Sequence, residues 1–276
     1  MTKELKNLIS LLKSPIKENR DLGVVLTQHY EEEFKAHFGY DATLMAFLAQ
    51  DKKWHSDIPL KEIEKLEFQF KDISSIPADI SLLENLTWLA FVSTSFSIFP
   101  TEILQLPHLK TLCFSHNKIK VLPLEIGQLQ ELERLAIHEN QLQSLPKEIG
   151  QLQKLKTLYL VGNNLACLPP EIWQLRELEL LALGGNQSLN LPPEIEMLQK
   201  LKTLALSNNQ IQSLPKEIGN LHKLERLSLE NNQLQSLPKE LAQIKTLEKI
   251  SIEGNPKNIL IPDELMHIVD VGRGLI

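Results

Sequence analysis

The side chains that could do chemistry in this chain are few and far apart. Eight histidines and two cysteines, Cys113 and Cys167, are scattered over 276 residues. No H-E-x-x-H sets two imidazoles on one helix face for zinc. No glycine-rich loop offers backbone N–H groups to a phosphate, and no C-x-x-C brings two thiols together. His116 and His138 fall on neighbouring elements, but no Asp or Cys accompanies them as a third ligand. Cys113 has no Arg or His forced against it, so it reads as a small, semi-apolar residue and not as an activated thiol. No catalytic residue, cofactor or metal is expected, and the chain reads as a non-enzyme.

What positions these side chains is a repeat. Leucines open equivalent blocks at Leu86, Leu109, Leu132, Leu155, Leu178, Leu201, Leu224 and Leu247, each step 23 residues without insertion. The frame extends back to Ile63, where Leu66, Phe68, Ile73, Ile76, Pro77, Ile80 and Leu83 occupy template positions, giving nine repeats over 63–269. Each block opens L-x-x-L-x-L, the period of a short half-buried strand. In block 132–154, Leu135 and Ile137 point inward, while Arg134, Ala136 and His138 point outward. An asparagine follows in seven blocks, from Asn117 and Asn140 to Asn255, and its amide can satisfy backbone groups at the turn leaving each strand. A second apolar pair such as Leu142 and Leu145 brings the chain back. A proline then suits the first position of a helical turn, with an acid two residues later facing that turn's unpaired N–H groups. No block can bury its own apolar face, so the blocks must stack. The strands are expected to form one parallel sheet inside, with the bulkier turns outside bending the stack into an arc.

This pattern resembles the leucine-rich-repeat family, in particular its 23-residue L-x-x-L-x-L-x-x-N-x-L-x-x-L-P-x-x-I-x-x-L subclass, known from intracellular Ras-associated proteins and bacterial homologues. The resemblance implies an α/β horseshoe solenoid with a parallel concave sheet and a protein ligand on that face. Three departures stand out. Lys71 and Thr94 replace the asparagine in the first two blocks, so the amide column is expected to begin at Asn117. Ser188 sits where a leucine belongs, with Leu189 beside it. In the last block Ile261-Pro262 slips by one residue.

Open ends of such a stack would expose leucine and strand edges, and both need covering. Residues 1–62 are expected to form a helical N-terminal cap, on stripes such as Leu5, Leu8, Ile9, Leu12 and Leu22, Val25, Leu26, Tyr30. Residues 262–276 are expected to form a short C-terminal cap, with an amphipathic helix over 262–270.

The residues free to specify a partner are the outward ones, the rest being committed to the fold. The large types gather in the N-terminal half: Trp88, Val92, Arg134, His138, Tyr159, Val161 and Leu180. Trp, Tyr and Arg are the side chains most enriched in binding hot spots. The C-terminal repeats carry small or acidic residues there and are expected to contribute less. A further column, Lys110, Glu133, Lys156, Glu179, Lys202, Glu225, alternates in sign and is assigned to sheet register.

A net charge of −6 argues against nucleic acid and against an anionic membrane surface. The first residues, MTKELKNLISLL, are too polar for a signal peptide. Cys113 and Cys167 fall on different walls, so both should be free, which fits a reducing compartment. The expectation is a monomeric cytoplasmic scaffold that binds a protein; the alternative is a secreted or injected bacterial effector using the same face on a host protein.

Overall fold

The structure, a computed structural model, describes residues 60–70, 73–186 and 190–272. The expected N-terminal helical cap lies outside these residues except for a 3-10 turn at Leu60–Glu62, and Lys71, Ser188 and Leu189 lie outside them too.

Ten parallel strands form one sheet in strict chain order. They are β1 (Lys65–Gln69), β2 (Trp88–Val92), β3 (Thr111–Cys113), β4 (Arg134–Ala136), β5 (Thr157–Tyr159), β6 (Leu180–Ala182), β7 (Thr203–Ala205), β8 (Arg226–Ser228), β9 (Lys249–Ser251) and β10 (Val269–Asp270). The first nine carry the opening motif of the nine blocks. From β3 onward the regular strand is short, yet the ladder runs on: Phe114 N donates to Ala136 O at 2.8 Å and His116 N to His138 O at 3.0 Å. The strand ends where the backbone turns left-handed. Phe70, Ser93, His116, Glu139, Asn208 and Asn231 have φ of 51–59°, and Gly162, Gly185 and Gly254 hold the same template position at 65–77°. This conformation costs a residue with a Cβ about 1–2 kcal/mol, less for asparagine and nothing for glycine. It turns the next side chain, the column asparagine, inward.

The asparagine column is buried from Asn117 to Asn255. Asn163 Nδ2 donates to Ile137 O at 2.8 Å and Leu160 O at 3.0 Å, and its Oδ1 accepts the Leu142 N–H at 2.9 Å. Each amide thus ties its own turn to the preceding repeat. Thr94 joins the column from below, its hydroxyl donating to Asn117 Oδ1 at 2.7 Å.

Between the walls, leucine and isoleucine fill the core, but the N-terminal repeats use phenylalanine instead. Phe68, Phe91 and Phe114 stack at 4.9–5.2 Å, with Phe96 and Phe99 packed beside them.

Two expectations need correction. The prolines stand one position earlier than the first helical residue. Pro146, at φ −68° and ψ 147°, is the extended N-cap of the 3-10 turn Lys147–Gln151, and only where a second proline follows, as at Pro170, does one enter the turn. The amphipathic helix over 262–270 is a 3-10 turn at Asp263–Leu265 followed by the tenth strand. The unpaired edge of β9 takes up the last residues: Ile250 N donates to Ile268 O and Ile252 N to Asp270 O, both at 2.9 Å. Ladder bonds on an otherwise open edge outweigh an isolated helical turn.

Candidate functional site

The register sorts the outward residues into columns. Trp88 pairs with Thr111, and the column continues through Arg134, Thr157, Leu180, Thr203 and Arg226 to Lys249. The second column holds Cys113, Ala136, Tyr159 and Ala182 in the same order. The third holds Val92, Ser115, His138 and Val161, one position beyond the inward residue that follows. With strands about 4.8 Å apart, Arg134, His138, Tyr159, Val161 and Leu180 fall on three consecutive repeats of one face. Trp88 and Val92 stand two strands away on β2. There Lys65 Nζ lies 5.9 Å from the Trp88 ring centroid, a cation–π contact that holds the indole on the sheet.

His138 is the most constrained of these side chains. Its Nδ1 lies 3.1 Å from Ser115 Oγ, and Ser115 Oγ lies 2.8 Å from Cys113 Sγ. The His116 ring meets it edge-on, with centroids 5.5 Å apart. Burial and then the His116 ring hold His138 below the ordinary imidazole range, with Glu139 pulling the other way. It is neutral at pH 7. The unfolded chain therefore takes up this proton first as pH falls, so the contribution of His138 to stability is present above about pH 6.5 and is lost on acidification. An NMR titration should place its midpoint below 6.5, and His116→Ala should raise it; a midpoint at the ordinary value that ignores this substitution would contradict the contact.

Burial pushes the Cys113 thiol up, against its hydrogen bonds with Ser115, which disfavours the nucleophilic thiolate. Both cysteines are free, Cys113 half-buried on the sheet and Cys167 exposed. Among the described residues no three His, Cys, Asp or Glu side chains converge on one point.

The alternating column closes two ion pairs, Lys156–Glu133 and Lys202–Glu179, both at 2.7 Å. The residues just before the opening leucines form a second set that sequence reading missed, Lys154–Glu131 and Lys200–Glu177, both at 2.6 Å. The lysines are exposed and the glutamates half-exposed, so water screens every pair and their weight in stability is small. Glu230, one of the acidic residues expected on the outward face of the C-terminal repeats, is held by the Ser207 hydroxyl one repeat earlier, a contact that sequence reading missed. It is the counterpart of the Ser115–His138 pair, and a serine one block before a longer polar residue in the third column was its signal.

A constant 23-residue step, an inward asparagine column and a parallel sheet in chain order define a leucine-rich-repeat solenoid, a fold whose variable residues sit on an extended binding face. The leucine-rich-repeat family model matches residues 130–187 and 190–256. It is similar to a leucine-rich-repeat protein of Leptospira interrogans, at 33% identity and a TM-score of 0.60 over 78% of this chain and 63% of that one. The chain thus spans under two thirds of that protein. An internalin C2 of Listeria monocytogenes is similar at 25% identity and a TM-score of 0.64, over 70% of this chain and 82% of the other. A plant peptide hormone receptor solved in complex with RGF2 is similar at 26% identity and a TM-score of 0.61, over 78% and 41%. No curated protein matches the chain by sequence. Among the described residues no helix is long and apolar enough to cross a membrane.

Proposed function

We propose that this protein is a non-enzymatic interaction module that presents its sheet face, centred on β4–β6, to a partner protein. One observation carries the reading: Arg134, His138, Tyr159, Val161 and Leu180 are contiguous in registered columns, whereas the repeats that follow place Thr203, Ala205, Ser207, Ser228 and Ser251 there beside the charged Arg226, Glu230 and Lys249. Trp88 and Val92 extend the surface toward the N-terminal repeats. The plant receptor in complex with RGF2 supports the use of such a solenoid for binding. Two free cysteines fit a cytoplasmic setting, and the likeness to the Leptospira and Listeria proteins fits a bacterial one. Cell fractionation separates this from the secreted alternative.

The test is a quantitative pull-down from extract of the source cells. Tyr159→Ala combined with Arg134→Ala should keep the melting temperature, because neither side chain faces the core, and should weaken capture by about thirtyfold or more. Gln151→Ala with Lys154→Ala, on the opposite wall, should leave capture intact. The reverse outcome assigns binding to the outer wall and removes the proposed surface.

A further inference from the structure

The sheet-face reading leaves the chemistry of the partner open, and the first outward column narrows it. From β4 to β8 this column reads Arg134, Thr157, Leu180, Thr203, Arg226 in unbroken register. Two guanidinium-bearing residues flank a central leucine symmetrically, four strand spacings apart, or about 19 Å. The column contains no carboxylate from Lys65 to Lys249.

Its other cations are already engaged. Lys249 pairs with Asp270 at 2.8 Å, and Lys65 lies over the Trp88 ring. The lysines flanking the column behave alike, Lys156 and Lys202 each holding a glutamate. Glu133, the acid next to Arg134 in sequence, is the one Lys156 holds, and Glu230, four residues beyond Arg226, is tied to Ser207. Among the described residues the guanidinium groups of Arg134 and Arg226 have neither a hydrogen bond nor an ion pair, and both residues are exposed. Between them the neighbouring columns carry Ala182, Ala205 and Gly184, so the floor lies close to backbone level and another chain can approach it. Leu180 and Tyr159 supply apolar contact at its centre.

A guanidinium is a planar fork that matches a carboxylate with two parallel hydrogen bonds. An extended chain advances about 3.3 Å per residue, so 19 Å corresponds to roughly six residues. We propose that the sheet face takes an extended acidic segment of a partner protein, with carboxylates about six residues apart on Arg134 and Arg226 and an apolar stretch between them over Leu180 and Tyr159. This inference rests on the sheet-face reading and extends the surface into the C-terminal repeats.

The experiment pans a random peptide library, displayed on phage, against the full chain and against Arg134→Gln/Arg226→Gln, with binding of the enriched peptides measured by fluorescence anisotropy. The wild type should enrich peptides with two Asp or Glu residues about six positions apart. Their affinity should fall as ionic strength rises and drop about thirtyfold or more on the glutamine variant. Arg134→Lys/Arg226→Lys, which keeps the charge but not the fork, should recover part of the loss. Enriched peptides that lack the acidic pair, or that bind the glutamine variant as tightly, overturn the acidic segment. If such peptides are nevertheless lost on Tyr159→Ala/Leu180→Ala, sheet-face binding survives; if they survive that variant too, both readings fall. A fluorescein-labelled oligothymidylate that binds through the arginines as tightly as the peptides would assign the pair to phosphate and overturn the proposal.

Discussion

Asn163→Ala lowers the unfolding free energy by about 2–5 kcal/mol, because two buried backbone groups lose their partner at once and each orphan costs about 1–3 kcal/mol. The groups are Ile137 O and Leu142 N, both in the preceding repeat, while Leu160 O keeps the Asn186 amide at 3.0 Å. Alanine fills none of those roles, and the site lies too deep for water to take them over: Asn163 is 4% exposed. The neighbouring Asn164 is exposed, and Asn164→Ala should stay within about 0.5 kcal/mol of the wild type. Urea denaturation of the two variants checks the difference; coincident midpoints would mean that the amide column does not hold the repeats together.

The second large effect is expected at Phe91→Ala. Phe91 is wholly buried, stacked on Phe68 at 5.2 Å and Phe114 at 4.9 Å, and met edge-on by Phe96 at 4.9 Å. Removing a core phenylalanine costs about 3–5 kcal/mol through lost transfer energy and the cavity left behind. In a stack where each repeat touches only its neighbours, that loss stays local. Hydrogen exchange should accelerate around β1–β3 while amides of β6–β8 keep their protection. Uniform acceleration along the chain would instead show that the solenoid unfolds as one unit.

The frame of this fold was legible in the sequence because each template position answers to one physical demand. Leu135 and Ile137 had to face inward by strand period, and Asn140 had to be buried once the turn beside it was recognised. What stayed illegible depended on competition between elements. The segment 262–270 carries Leu265, Ile268 and Val269 at helical spacing, and only the open edge of β9 decides for a strand. The left-handed position was hidden because His116, Glu139 and Phe70 stand there beside the more telling Gly162 and Asn208. For the candidate site, the outward columns followed from period and block length. The contacts of Ser115 with His138 and of Lys65 with Trp88 required register and rotamer, which a one-dimensional pattern does not carry.

The four lysine–glutamate contacts have a grain. Each joins one block to the next across 23 residues, Lys154 and Lys156 reaching back to Glu131 and Glu133, and Lys200 and Lys202 to Glu177 and Glu179, so that blocks 132–154 and 178–200 carry Glu then Lys and block 155–177 carries Lys then Glu. The charge pattern therefore repeats every two blocks. A gene that gains or loses blocks in pairs lengthens or shortens the arc and keeps opposite signs side by side. Excision of the single block 155–177 would instead set Glu179 beside Glu133 and Lys200 beside Lys154. Over this stretch the length of the protein is free to change in steps of two, and odd steps carry an electrostatic cost.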